Sequence, residues 1–217
     1  MSAVELSYTR HGRPGPPVLV LGGSLGTTEA MWEPQLAALG EDFDLIAFDH
    51  RGHGASPVAP GPYTIADLGL DVVALLDRLG LERVAYCGLS IGGMVGQWLA
   101  VNAPERIEAL VLICTAARVP TPEGYLDRAA AVREAGTPEG VADAVIARWF
   151  TAPFAAAHPE LVGPSPGDDR RYAGRGLRRL LVAGARFELL ESAAHLASVE
   201  RPEAVTALIH DHLGGRP

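Results

Sequence analysis

Four short apolar runs, Pro17 to Leu21, Phe43 to Phe48, Val84 to Cys87 and Ala109 to Cys114, constrain the fold of this 217-residue chain more than any other feature. Each is continuous rather than alternating, which is how strands buried on both faces read. Helical patterns lie between the last three. Leu68, Val72, Leu75, Leu76 and Leu79 recur at three- and four-residue steps, and Gly80 stops them. Strand, helix, strand, helix predicts an α/β fold with a mostly parallel sheet and helices on both faces.

The length suits one large domain with an insertion better than two domains. With 48% apolar and 20% charged residues the chain has enough core-forming material to exclude a disordered or fibrous protein. Eighteen Lys and Arg against 26 Asp and Glu leave a net charge of −8, a field that opposes nonspecific attraction to nucleic acid or anionic membrane. Neither partner is expected. The first ten residues lack an apolar signal core, and no apolar run approaches the roughly 20 residues that span a bilayer, so a soluble cytoplasmic protein is expected. Cys87 and Cys114 are too few for a disulfide framework and are read as reduced, buried thiols.

After Thr115 the pattern changes. Glu123 to Glu134 and Pro138 to Phe150 look helical, and Pro153, Pro159, Pro164 and Pro166 follow. We read residues 118–166 as a helical cap inserted over the carboxyl edge of the sheet, and 1–117 with 167–217 as the core. Arg186 to Leu190 returns to a strand pattern, and Pro202 to Leu213 forms a last amphipathic helix.

Gly88-Leu89-Ser90-Ile91-Gly92 sits between an apolar strand and the helical stretch Met94 to Ala100. A sharp strand-to-helix turn there would expose Ser90 as a nucleophile, with glycines where a side chain would collide. The same turn aims the Ile91 amide and the positive end of the helix at a developing oxyanion. A second oxyanion donor is expected from Gly22-Gly23-Ser24-Leu25-Gly26-Thr27, after the first apolar run, and we assign it to the Leu25 N–H. A phosphate-loop reading of that segment fails, because no Lys-Ser or Lys-Thr follows.

Among seven histidines, His195 lies beyond the last strand pattern, where the order nucleophile, acid, histidine puts the base. His50 and His53, in Asp49 to Gly54, are read as ordering the oxyanion loop through hydrogen bonds. Their pattern with Asp49 matches no recognised zinc or iron constellation, so no metal is assigned. His11, His158, His210 and His212 read as solvated.

These pieces resemble the α/β-hydrolase superfamily and, more narrowly, the 3-oxoadipate enol-lactonases. The likeness rests on Ser24 to Thr27, Asp49 to Gly54, Gly61 to Ile65, Cys87 to Met94 with Gln97-Trp98-Leu99, Thr115-Ala116-Ala117, Arg148 to Thr151 and Ala193 to Leu196. It implies an α/β-hydrolase fold with a shortened helical cap, and cofactor-free hydrolysis of a small enol-lactone to 3-oxoadipate in aromatic catabolism. Members of that family have more residues between cap and last strand, including a loop that carries the catalytic acid. Two registers compete here. In one, Gly167-Asp168-Asp169 is the acid loop; in the other, Leu180 to Gly184 is the preceding strand and the loop is absent. Parallel strands need a crossover of about a dozen residues, which favours the first and makes Asp169 the acid, with Asp168 behind it. Glu188 and Glu191 are weaker substitutes.

A carboxylate-bearing lactone needs a local cation in so acidic a chain. Arg148 beside Trp149 is the candidate, with Arg118 and Arg133 as alternatives, and Trp32 and Trp149 are read as pocket walls or, equally, as packing residues. The rivals are a broad carboxylesterase or perhydrolase with the same triad, and a degenerate hydrolase fold that binds without turnover. A contracted sheet leaves unpaired edges, so a homo-oligomer stays open.

Overall fold

The computed structural model describes residues 2–12, 15–117, 123–136, 148–159, 190 and 193–214. Its elements in chain order are β1 (Tyr8–His11), β2 (Val18–Gly22), α1 (Glu33–Leu39), β3 (Asp44–Phe48), α2 (Ile65–Arg78), β4 (Val84–Leu89) and α3 (Ile91–Asn102). They are followed by β5 (Ile107–Ile113), α4 (Glu123–Ala135), α5 (Ala152–Ala157), α6 (Ala197–Glu200) and α7 (Pro202–Gly214). The strands form one sheet in the order β1-β3-β2-β4-β5. β1 runs antiparallel at the edge; β3, β2, β4 and β5 are mutually parallel.

The four apolar runs are therefore the four parallel strands, and for β3 and β4 their continuity has the expected cause, whereas β5 is buried only at Ile107 and Ala109. β3 and β4 are buried at every position because both faces of the sheet are covered. On one face Leu68, Val72, Leu75 and Leu76 of α2 pack with Val95 and Leu99 of α3. On the other, Leu36 and Leu39 of α1 meet Val205, Ile209 and Leu213 of α7. α2 starts where Thr64 and Asp67 cap it reciprocally: Asp67 N–H donates to the Thr64 hydroxyl oxygen at 3.2 Å and Thr64 N–H to the Asp67 carboxylate at 2.8 Å.

α4 and α5 fall within the stretch assigned to the cap. The proposed strand Arg186 to Leu190, apart from Leu190 itself, lies outside the described residues, as does most of Pro138 to Phe150. Among the described residues no helix is long and apolar enough to cross a membrane.

The register sets up the site. Gly22 of β2 pairs with Gly88 of β4 and with Phe48 of β3, so three carboxyl-end loops emerge side by side: 23–27, 49–54 and the turn at Ser90.

Candidate active site

Ser90 stands between β4 and α3 with φ 58° and ψ −114°, a left-handed conformation that costs a non-glycine residue roughly 1–3 kcal/mol. The surroundings hold it there. Its N–H donates to Ile113 O at 2.9 Å, and its carbonyl accepts from Met94 N–H at 3.1 Å and from the Thr115 hydroxyl at 2.7 Å. The flanking glycines are required by close approach: a Cβ at Gly88 would lie 2.2 Å from Gly92 O, and one at Gly92 would lie 2.2 Å from Gly22 O. The buried Tyr86 hydroxyl donates to Gly92 O at 3.1 Å, which braces the first turn of α3.

The loop beside Ser90 is a turn in which Thr27 N–H and the Thr27 hydroxyl both donate to Ser24 O, at 3.2 and 2.9 Å. This leaves Leu25 and Gly26 at its tip, and Leu25 is 45% exposed. Gly23 O points back into the fold, where it accepts from Gly92 N–H at 3.1 Å and from His50 Nε2 at 3.2 Å. Burial first, then the neighbouring His53, pushes His50 down to about 4, so the ring is neutral near neutral pH and one nitrogen is free to donate. His53 anchors the other side of the turn. Its Nε2 accepts from Gly26 N–H at 3.0 Å, so its proton sits on Nδ1 and is donated to Arg51 O at 3.1 Å. The hydrogen bonds expected from sequence between these two histidines and the 23–27 loop are present.

That histidine loop has its own foundation. Arg51 and Asp71, each with 1% of its side chain exposed, form a two-pronged pair with both N–O distances 2.6 Å, and Asp71 also accepts from Val4 N–H at 2.7 Å. Asp49 accepts from Glu29 N–H at 2.8 Å and Ala55 N–H at 2.9 Å. Asp71→Asn would leave the Arg51 charge buried without its counter-ion, a change that costs about 3–5 kcal/mol. We expect a loss of stability of that size in denaturant unfolding; a loss below about 1 kcal/mol would show that the pair is dispensable.

His195 lies in the segment 193–196, next to the carboxyl end of β5. The Cys114 thiol, one residue beyond the Ile113 carbonyl that holds Ser90, donates to Ala194 O with S and O 3.8 Å apart. Burial, and secondarily the Arg148 guanidinium, lowers the pKa of the half-buried His195, which favours the neutral, proton-accepting ring. Ser90 Oγ and the His195 ring are not hydrogen-bonded to each other here.

Arg148 is exposed and acts electrostatically on His195. Trp149 accepts from Leu196 N–H at 2.9 Å through its carbonyl, and its ring lies over the loop tip, with Cζ2 3.5 Å from where a Gly26 Cβ would be. Trp32 is fully buried in the core cluster with α1 and presents no surface to a ligand, so packing is its place. Arg133 is exposed on α4, where its Nε donates to Ala129 O. Asp168, Asp169, Glu188, Glu191 and Arg118 lie outside the described residues.

Sequence reasoning passed over Tyr86 and Glu200. Each acts on backbone groups brought close only by folding, and no local spacing marks them.

A parallel sheet with a strained serine at a strand-to-helix turn beside a glycine-containing loop defines an α/β hydrolase. Residues 16–208 match the sequence model of the alpha/beta hydrolase fold family, and the chain belongs to that family. It is similar to 3-oxoadipate enol-lactonase 2 of Acinetobacter baylyi, with 42% identity covering 93% of this chain and 90% of the relative. That alignment, 243 positions, is longer than the chain itself, so the relative carries residues without a counterpart here. Among solved structures, the enol-lactonase from Burkholderia xenovorans is similar over 96% of both chains, with TM-score 0.87 and 34% identity. A thermophilic esterase from Thermogutta terrifontis, crystallised with malate, matches at TM-score 0.81 and 27% identity over 97% of this chain and 93% of its own. The protein is a hydrolase enzyme of ester-like bonds.

Proposed function

We propose that the protein opens a small enol-lactone, 3-oxoadipate enol-lactone, to 3-oxoadipate through an acyl-enzyme on Ser90. The observation that carries this reading is the strained Ser90 itself, held at the amino end of α3 beside the 23–27 loop. His195 takes the Ser90 proton as Oγ attacks the lactone carbonyl, and the Leu25 and Ile91 amides receive the oxyanion. The C–O bond to the ring oxygen then breaks. Its leaving group is an enolate that receives the proton from His195 and, being less basic than an alkoxide, demands less of it as general acid. Water, deprotonated by His195, cleaves the acyl-enzyme and restores Ser90. Asp169 fixes the tautomer of His195 and supports its protonated form.

Arg148, whose charge is felt at His195, supplies the cation for the substrate carboxylate, and Trp149 walls the same side. Both belong to a cap of residues 118–166 over a core of 1–117 and 167–217. The enol-lactonase named among the relatives at 42% identity supports this substrate class. The similarity to an esterase favours a second reading, a broad carboxylesterase acting on other small acyl groups. An assay of the purified protein with 3-oxoadipate enol-lactone beside p-nitrophenyl acetate separates them. We expect kcat/KM for the lactone to exceed that for the aryl ester by at least about a hundredfold, roughly 3 kcal/mol of transition-state discrimination. Turnover of the aryl ester with none of the lactone would establish the esterase reading instead.

A further inference from the structure

Glu200, at the end of α6, is a carboxylate with 6% of its surface exposed, and its hydrogen-bond partners among the described residues include no cationic side chain. It is held by donors from two separate segments. One oxygen accepts from Thr151 N–H at 3.1 Å and from the Thr151 hydroxyl; the other accepts from Ala194 N–H at 2.6 Å. Ala194 immediately precedes His195, and Thr151 lies two residues beyond Trp149. The bond from Leu196 N–H to Trp149 O closes the circuit on the other side of His195. The backbone is thus tied down on both sides of the histidine, in each case to the segment that carries Arg148 and Trp149.

The geometry points to Glu200 as a positioning residue that sets the His195 ring relative to Ser90 and couples it to the Arg148-Trp149 wall. Neither a neutral amide nor an apolar side chain of the same size meets this demand. Ala194 N–H and the Thr151 groups approach opposite oxygens, so an amide must present its NH2 to one set of donors, and an apolar group leaves all of them unpaired in a buried place. A residue that merely filled space would tolerate the amide. The proposal rests on the assignment of His195 as the base.

The test compares E200Q with the unaltered enzyme, in the natural and the H195A backgrounds. It reads kcat and KM for p-nitrophenyl acetate and the rate of Ser90 phosphonylation by a fluorophosphonate. With His195 present, we expect E200Q to lower kcat and phosphonylation by about tenfold or more with KM within about threefold; in H195A the same change should have less than about a twofold effect. Folded E200Q with kcat within about twofold of the natural enzyme overturns the proposal, as does an equal loss in both backgrounds. H195A that keeps the natural rate overturns the base assignment, and is recognised without reference to Glu200. If circular dichroism shows E200Q to be unfolded, T151V carries the test. It removes one donor and keeps the carboxylate, so kcat should fall about threefold at constant KM, and an unchanged kcat overturns the proposal.

Discussion

Replacing Ser90 with alanine is expected to lower turnover by about a millionfold, close to 8 kcal/mol of transition-state stabilisation, while leaving the fold intact. So large an effect follows from what one oxygen does in the proposed reaction: it attacks, carries the acyl group and leaves. The alternatives nearby lack those qualities. The Thr115 hydroxyl is committed to Ser90 O, and Ser24 is buried. Cys87 is buried with its thiol pKa pushed up by desolvation, and burial raises that of Cys114 as well, which withholds the reactive thiolate from both. The backbone strain at Ser90 persists in the alanine variant, so its melting temperature should stay within a few degrees of the natural enzyme. Intact-mass analysis after fluorophosphonate treatment should give one adduct, mapped to Ser90, and none in the variant. Labelling elsewhere, or alanine-variant turnover above about one percent of the natural rate, would contradict the assignment.

The second large effect concerns the acid. Asp169→Asn should lower kcat by about ten-thousandfold, because an amide in place of the carboxylate favours the wrong His195 tautomer and withdraws support from the imidazolium. Asp168→Asn should stay within about threefold, since only one of the two carboxylates serves as the acid in the proposed reaction. Wild-type-like rates in both would remove this loop from the mechanism. His195 gives the comparison its force: burial and Arg148 both disfavour its charged form, so a countercharge is needed when it takes the serine proton.

β3 and β4 are legible in the sequence because burial on both faces leaves no choice but continuous apolar runs, and β5 keeps such a run although it is buried only at Ile107 and Ala109. β1 is not legible. Tyr8-Thr9-Arg10-His11 is a partly exposed edge strand of four residues, paired on one side only, and its composition reads as a loop. α3 begins at Ile91, ahead of the helical pattern that starts at Met94, because Gly92 and Gly93 lack helix propensity and are tolerated for packing. The strand-to-helix turn at Ser90 and the hydrogen bonds of His50 and His53 to the 23–27 loop are likewise legible, since each sits in a short contiguous motif. Glu200 is not, because its partners are backbone amides 49 and 6 residues away, and an acidic residue before Arg201-Pro202 reads as an ordinary helix boundary. The place of Trp32 is not legible either, as a large aromatic in sequence looks the same whether it faces a ligand or the core, where it is found.

Residues 4–7 belong to no element predicted from sequence, yet they are stitched to α2 and to the 49–56 loop. Val4 N–H donates to Asp71, Ser7 N–H donates to the Ser56 hydroxyl oxygen at 2.8 Å, and Ser7 O accepts from Asp49 N–H at 3.0 Å. Leu6 is buried, and its carbonyl accepts from Arg78 at 2.6 Å. Residues 4–7 therefore work as a hasp joining the histidine loop to α2. Trimming them would loosen the 49–54 loop and, through the His50 and His53 hydrogen bonds, the 23–27 turn beside Ser90.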